Sequence, residues 1–234
     1  MLKNVQLIDL THEVFEGMPQ WPGKCPFHES VAESHEDAGA FVNSYEMSSG
    51  CSTHMDAPVH FVKGGRSISD FSLEELFNPA VIINLQSKVA SNPDYVLSIE
   101  DVQSWEHQYG VLPARALVIA NTGWYKRWPD PIQFLNKDAN GVMRFPGFSA
   151  EVAEYLLEKN IAGIGIDTLS LDCGIEHDYP VHKIILGADK FQLELLANLD
   201  ALPESGAYIF TLPTKFKGAP EAPARVVGFV SLLP

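Results

Sequence analysis

Apolar residues along this chain fall into short runs separated by turn-forming residues, a pattern typical of a domain in which strands alternate with helices. Three runs rich in β-branched residues predict buried strands at residues 80–85, 116–120 and 162–166. Looser alternation predicts further strands at residues 5–10 and 41–49. Because strand, helix and strand follow one another through the second half, we expect α/β layering.

Three segments predict helices. Residues 98–105 predict the start of one helix, and residues 149–159 predict an amphipathic second helix. Residues 69–76 predict a third, because Glu75 follows Ser72 by three residues, as in a capping box. The chain contains no evident internal repeat, and its composition does not indicate disorder.

Residues 53–61 concentrate groups that can bind a metal or move a proton. Side chains of an extended segment alternate between faces, so His54 and Asp56 should point the same way, which is a metal-chelating geometry. Pro58 lacks a backbone N–H and should end the strand, leaving His60 in the turn beside the pair.

Each of these residues has a structural interpretation when taken singly. A buried histidine is usually a hydrogen-bonded structural residue, and an aspartate at a strand end is usually a cap or a turn acceptor. All three together favour a functional site, because each would need its own compensation if it were buried without a ligand.

Composition and charge narrow the possible partners. The chain has 234 residues, enough to bury a sizeable core as one domain, and we expect a single domain over residues 1–234. A formal net charge of −14 argues against nucleic acid and against an anionic membrane surface as partners. A small-molecule substrate is the expected partner.

Cysteine usage and the N-terminal segment predict a cytoplasmic protein. Cys25, Cys51 and Cys173 are odd in number, widely spaced and without a paired motif, so they indicate neither a disulfide framework nor a cysteine-type zinc site. The apolar run in residues 1–9 is broken and too short for a signal peptide or a membrane span.

The segment around His54 resembles the signature of the cyclase family of metal-dependent hydrolases, which includes bacterial kynurenine formamidases and isatin hydrolases. That signature is His-x-Gly-Thr-His-x-Asp-x-Pro-x-His-Phe, and the chain agrees with it from Thr53 to Phe61. Two positions differ, because Gly50 stands in place of the first histidine and Ser52 in place of the glycine. The resemblance implies an α/β fold, a single domain of the swivelling β/β/α type with a mixed sheet, usually assembled as a homodimer or homotetramer.

A second resemblance lies downstream. Residues 182–199 are similar to the family's His-Lys-x-Leu-Leu-Gly and Glu-x-x-x-Asn-Leu patterns, which implies that His182 and Glu194 complete a zinc or manganese site with His54 and Asp56. The residues alone leave alternatives open: His182 could cap a helix, and Glu194 could be a solvated carboxylate. Glu194 lies in an apolar context, however, where a carboxylate needs a partner or a cation.

The glycine at position 50 implies that one ligand of the family's site is missing. A Cys51 thiolate could bind zinc, but strand alternation directs Cys51 away from the face of His54. Ser52 has the right alternation but a poor ligand atom. We therefore expect a mononuclear site, or one strong and one weak site, with water in the vacant position.

Two further segments are candidates for the walls of a substrate site. Trp21 lies in a loop rich in glycine and proline and could cover the edge of the core or face an aromatic substrate. The resemblance favours substrate contact. Residues 121–124 follow a buried strand and could form a pocket wall or a simple turn.

The function implied by the resemblance is metal-dependent hydrolysis of an amide, formamide or lactam bond in a small aromatic substrate. A divalent metal would activate water, and His60 would act as general acid and base. A protein that has lost catalysis through the change at Gly50 and only binds ligands is the alternative. A third interpretation is a structural module in which all the histidines are ordinary core residues.

Overall fold

A mixed β-sheet that closes on itself organises the fold in this computed structural model, which describes residues 4–232. The strands are β1 (Val5–Asp9), β2 (His28–Glu33), β3 (Val42–Glu46), β4 (His54–Asp56), β5 (Phe77–Asn84), β6 (Val96–Leu97), β7 (Leu117–Asn121), β8 (Gly147–Phe148), β9 (Gly163–Ile166), β10 (Phe191–Glu194), β11 (Ala207–Pro213) and β12 (Glu221–Ser231). The main sheet has the order β1-β12-β11-β5-β7-β9-β10-β4, and β4 also pairs with β12. That last pairing closes the sheet.

The helices other than the first bury apolar residues in a core on one face of this sheet, whereas the first helix has no buried residue. The helices are α1 (His35–Ala38), α2 (Gln86–Ser91), α3 (Ile99–Tyr109), α4 (Pro131–Leu135), α5 (Ala150–Glu158) and α6 (Pro180–Gly187). Short 3-10 turns occupy Pro58–His60, Ile68–Asp70, Trp124–Arg127 and Leu199–Ala201. Within the described residues, no helix combines the length and the apolar character needed to cross a membrane.

The central strands are buried on both faces, which explains why they are continuous apolar runs in the sequence. Strands β5, β7, β9 and β10 pair in parallel, and parallel strands are normally covered on both sides. On β7, Val118 packs into the core beneath the helices, whereas Ile119 packs into a second core inside the closed sheet. Neighbouring side chains on one strand therefore pack into two different cores.

Strand β4 lies between β10 and the beginning of β12, antiparallel to both. Met55 packs into the core inside the closed sheet, so His54 and Asp56 face the opposite side. The register places His54 across from Glu194 and Asp56 across from Glu221. Closure of the sheet thus gathers acidic residues on both flanks of β4.

The strands and the helices that begin near residues 98 and 149 agree with the sequence-based expectation, with ends shifted by a few residues. An α/β fold with a mixed sheet is likewise what we expected. That residues 1–234 form one domain stays a prediction, and residues 1–3 and 233–234 lie outside the described part of the chain.

The helix expected over residues 69–76 is wrong. Ser67 and Asp70 form the capping pair of a single 3-10 turn, and the Glu75 carboxylate accepts the backbone N–H of Ser72 within the next turn. Residues from Phe77 onward instead form β5, which pairs with β11 and β7. The capping contacts of residues 67–75 are thus satisfied within two short turns, and β5 begins directly after them at Phe77.

Close packing of β9 against β10 provides a test of this arrangement. A Cβ at Gly163 would collide with the carbonyl oxygen of Phe191, whereas a Cβ at Gly187, in the last turn of α6, would meet open space. Gly163→Ala should lower the free energy of unfolding by about 1–3 kcal/mol in urea denaturation. Gly187→Ala is the control and should be neutral or stabilising by up to ~1 kcal/mol. Equal effects of the two substitutions would contradict the packing described here.

Candidate metal centre

Four side chains from three separate parts of the chain meet at one point. His54 Nε2 lies 3.4 Å from Asp56 Oδ1 and 3.4 Å from Glu194 Oε2. His182 Nε2 lies 3.6 Å from Asp56 Oδ2 and 3.2 Å from Glu194 Oε1. Each carboxylate therefore spans the two imidazoles with one oxygen on each, and all four side chains are buried.

The local fold explains this convergence. The antiparallel register of β4 and β10 puts Glu194 across from His54. Helix α6 brings in His182 two residues after Pro180, a favourable residue for the start of a helix. Asp172 anchors that start, since its carboxylate accepts the backbone N–H groups of Val181, at 2.8 Å, and of His182, at 3.2 Å.

Hydrogen bonds on the far side of each ring turn Nε2 of both histidines inward. His54 Nδ1 lies 2.8 Å from the carbonyl oxygen of Ser52, which can only accept, so Nδ1 carries the proton. His182 Nδ1 lies 2.6 Å from Asp172 Oδ2. In the neutral imidazoles this leaves the Nε2 lone pairs directed at the shared centre. Metal-ligating histidines are usually held by the same kind of outer contact.

The buried carboxylates of these four side chains favour positive charge at the point where they meet. Burial would lower the pKa of His54, but the charge of Asp56 and the hydrogen bond of Glu194 outweigh it and raise this pKa to about 10. Burial likewise opposes the charged form of His182, yet hydrogen bonds that its ring donates to the carboxylates of Asp172, Asp56 and Glu194 raise its pKa well above the ordinary value. Without a cation, protons on the two imidazoles compensate the buried carboxylates.

These residues fit a divalent cation. Asp56 Oδ1 is buried and has no hydrogen-bond partner, a costly state for a carboxylate oxygen unless a cation lies beside it. Ligand atoms of His54, Asp56 and Glu194 all lie within 4.8 Å of one another. The same is true of ligand atoms of Asp56, His60 and His182. Asp56 belongs to both groups. The nitrogen and carboxylate donors suit zinc or manganese and do not choose between them.

His60 lies beside the four central side chains, in the 3-10 turn that follows β4. Its Nε2 is 3.8 Å from Glu221 Oε1, and its ring is 6.2 Å from that of His182. The side chain is 23% exposed and borders the cavity. Two roles are open to such a group: proton transfer to a molecule in the cavity, or a ligand of a second cation with Asp56 and His182.

A cavity of about 330 Å3 opens above the four side chains. Trp21, Phe61 and Tyr179 form an aromatic wall: the rings of Trp21 and Tyr179 are 6.1 Å apart, and those of Phe61 and Tyr179 are 5.8 Å apart. Phe61 also packs at 4.9 Å from His182. Trp21 thus lies in the wall of the cavity, together with His54, His60, His182 and Glu194.

Comparison with known proteins agrees with this geometry. A family model described as putative cyclase matches residues 8–173. The chain belongs to the cyclase family. An isatin hydrolase of Roseibium aggregatum is 33% identical over 186 residues, which cover 76% of this chain and 70% of the relative. A kynurenine formamidase of Bacillus mycoides is 27% identical over 229 residues, covering 97% and 98% of the two chains.

The fold agrees as well. The structure of isatin hydrolase A from Ralstonia solanacearum superposes with a TM-score of 0.91 at 31% identity, covering 97% of this chain and 92% of that one. The expected fold and the expectation of a hydrolase in the cyclase family are therefore confirmed. The family match ends before His182 and Glu194, so these two residues join the site through their geometry.

Sequence reasoning about this cyclase-family site missed two carboxylates. Asp172 orients His182, and the only sequence signal for it was its place after the strand at 162–166. Glu221 was missed because β12 was not predicted and its register against Asp56 depends on closure of the sheet. The Glu221 side chain is 14% exposed and borders the cavity.

Several expectations about neighbouring residues can now be resolved. The space beside Gly50 is partly occupied, because a Cβ there would lie 2.5 Å from Glu221 Oε1. Water in the vacant coordination position stays a prediction. Cys51 faces away as expected and packs in the core beneath the helices, where burial raises its pKa to about 11. Ser52 turns its hydroxyl to the carbonyl oxygen of His12, at 3.3 Å.

The segment at 121–124 is a turn and does not border this cavity. Gly123 adopts the left-handed conformation there. The amide and hydroxyl of Thr122 both donate to buried Asp167, whose pKa burial raises to about 6. The turn therefore has a structural role, because it supplies hydrogen bonds to a buried carboxylate.

The raised histidine pKa values predict how the metal-free protein responds to pH. A pKa raised from 6.5 to about 10 on folding means that protonated His54 stabilises the folded state fully below about pH 6.5, and that this contribution is lost as pH rises towards 10. His182 acts in the same direction. In chelator-treated protein, the free energy of unfolding should therefore fall across this window. His54→Gln should make the fall shallower, and a stability that rises with pH in the wild type would contradict the account.

Proposed function

We propose that this protein hydrolyses an amide, formamide or lactam bond in a small aromatic substrate with the help of a divalent cation held by His54, Asp56, His182 and Glu194. The observation that carries the proposal is the meeting of two inward-facing imidazole nitrogens and two buried carboxylates beside a cavity with aromatic walls, which His54, His182 and Glu194 line. Relatives named isatin hydrolase and kynurenine formamidase support the same class of reaction.

The cation supplies Lewis-acid chemistry when bound, activating water and polarising the scissile carbonyl. The protein's part is to hold its ligands in place. Asp172 and the carbonyl oxygen of Ser52 keep the two histidines oriented, and the backbone N–H of Leu171 donates to Glu194 Oε1 at 3.2 Å. Such outer contacts fix ligand geometry before the substrate arrives.

The position of His60 supports a role in proton transfer. It borders the cavity next to the cation ligands and is partly open to solvent. Imidazole is the side chain best suited to exchange protons near neutral pH. His60 would take a proton from the attacking water at Nε2 and return it to the leaving nitrogen, which balances the hydrolysis.

The aromatic wall supports an aromatic substrate. Trp21, Phe61 and Tyr179 offer flat faces to a ring lying over the cation site. Lys24 also borders the cavity and carries a positive charge. Hydrolysis of a lactam releases a carboxylate, and that charge would interact favourably with Lys24.

Metal analysis combined with a substrate screen tests the proposal. Formylated anilines, isatin-like lactams and lactones cover the substrate classes. We expect turnover of at least one of them that a chelator abolishes and zinc or manganese restores. A metal-free protein that is inert to every substrate would favour the alternative, a ligand-binding protein that has lost catalysis.

His60→Ala separates the two roles open to His60. If His60 moves the proton, turnover should fall by about 10²–10⁴-fold while the metal content stays unchanged. His107→Ala, at an exposed position on α3, is the matched control and should keep full activity. Loss of metal together with turnover would make His60 a ligand, and turnover that persists would remove it from the mechanism.

Trp21→Ala tests the aromatic wall. Loss of one ring face should raise KM by roughly tenfold, the equivalent of about 1.4 kcal/mol, and should leave metal binding unchanged. Trp21→Phe keeps an aromatic face and should retain most of the affinity. An unchanged KM for every aromatic substrate in Trp21→Ala would place the ring of the substrate elsewhere.

A further inference from the structure

Glu221 occupies the space next to Gly50. A Cβ at position 50 would lie 2.5 Å from Glu221 Oε1 and 3.1 Å from His54 Nε2. The carboxylate oxygen and the inward-facing imidazole nitrogen therefore flank the same point. In the family signature that the chain resembles, a histidine stands at this position. A side chain from 50 and the carboxylate of Glu221 would compete for one place beside His54.

Glu221 reaches this place from the opposite end of the chain. It begins β12 and lies across from Asp56 in the antiparallel register, so both carboxylates point to the same face of the sheet. Like charges directly across a strand pair are destabilising. A third acid group, Glu194, lies on the other flank of β4. Three carboxylates around neutral imidazoles leave an excess of negative charge at the centre.

The contacts of Glu221 leave one oxygen available. Ser49 Oγ donates to Oε2 at 2.6 Å and fixes the carboxylate. Oε1 faces His60 Nε2 at 3.8 Å, which is too long for a hydrogen bond. On the neighbouring strand, the buried Oδ1 of Asp56 also has no hydrogen-bond partner. Two carboxylate oxygens therefore remain available on either side of His54 Nε2.

We propose that Glu221 replaces the imidazole that is absent at Gly50, and that its Oε1 binds the cation together with His54 and Asp56. This rests on the proposed function, since it requires the cation site. The sequence predicts a vacant coordination position at Gly50. In this proposal, a ligand at position 221 takes the place of the missing ligand at position 50.

The exchange has a consequence for metal preference. Replacing a neutral imidazole with a carboxylate makes the site more negative and its donors harder. Carboxylates favour manganese more than imidazoles do, whereas imidazoles suit zinc well. The protein should therefore bind manganese more tightly, relative to zinc, than a variant carrying a histidine at position 50 and no carboxylate at 221.

The first test is the affinity of Glu221→Gln for Mn²⁺ and Zn²⁺, measured by competition with a chromophoric chelator. The amide keeps the size of the side chain and an acceptor for Ser49 but loses the anionic ligand. Affinity for Mn²⁺ should fall by roughly tenfold or more. Glu154→Gln removes the same charge from an exposed position on α5 and should bind both metals as the wild type does.

Unfolding of the chelator-treated proteins gives a readout that is independent of metal titration. If Glu221 is a ligand, the stabilisation of the folded protein by added Mn²⁺ should be smaller in Glu221→Gln than in the wild type. A purely structural Glu221 would leave the stabilisation by added Mn²⁺ unchanged.

The second test restores the imidazole. Gly50 adopts no positive φ, so its backbone can accept a side chain. Gly50→His alone should bind metal poorly, since it collides with Glu221, and adding Glu221→Ser should recover zinc affinity while lowering the Mn²⁺-to-Zn²⁺ affinity ratio. Cooperative unfolding of each variant would show that it is folded.

The outcomes separate this proposal from the one on which it rests. A wild type that binds metal and a Glu221→Gln variant that binds it equally well would overturn the role of Glu221 and leave the proposed function intact. A wild type that binds neither Mn²⁺ nor Zn²⁺ would overturn both.

Discussion

The burial of acid groups around His54 is the constraint on which the rest of the site depends. Asp56 and Glu194 are almost fully buried, and each reaches across two imidazoles. A carboxylate is costly to bury unless an opposite charge or several hydrogen bonds compensate it. The fold supplies part of that compensation through the backbone N–H of Leu171, which donates to Glu194. The remainder must come from protons or from a cation, so the affinity of the site for metal is coupled to pH.

The closed sheet creates this concentration of charge. Strand β4 is only three residues long, yet it pairs with β10 on one side and with the start of β12 on the other. Met55 packs into the interior core, while His54 and Asp56 point to the opposite face of the strand and His54 borders the cavity. Charge repulsion among the acid groups is thus opposed by apolar packing on the opposite face of the same strand. This division lets a stable core support a centre that is unfavourable without its ligand.

The sequence predicts those parts of the site that depend on local geometry. Alternation along one strand is enough to pair His54 with Asp56, and the proline after them is enough to place His60 in a turn. His182 and Glu194 could be assigned only through resemblance to the cyclase family, because no local pattern relates them to β4. Neither strand alternation nor family resemblance identified Glu221, because its position depends on which strand closes the sheet.

The most direct test of the account is an anomalous diffraction experiment on crystals soaked in manganese or zinc, with data collected on both sides of the metal's absorption edge. The account predicts an anomalous peak enclosed by His54 Nε2, His182 Nε2 and the carboxylates of Asp56 and Glu194. Crystals saturated with either metal that show no peak among these four side chains, or show one only outside the cavity, would contradict it.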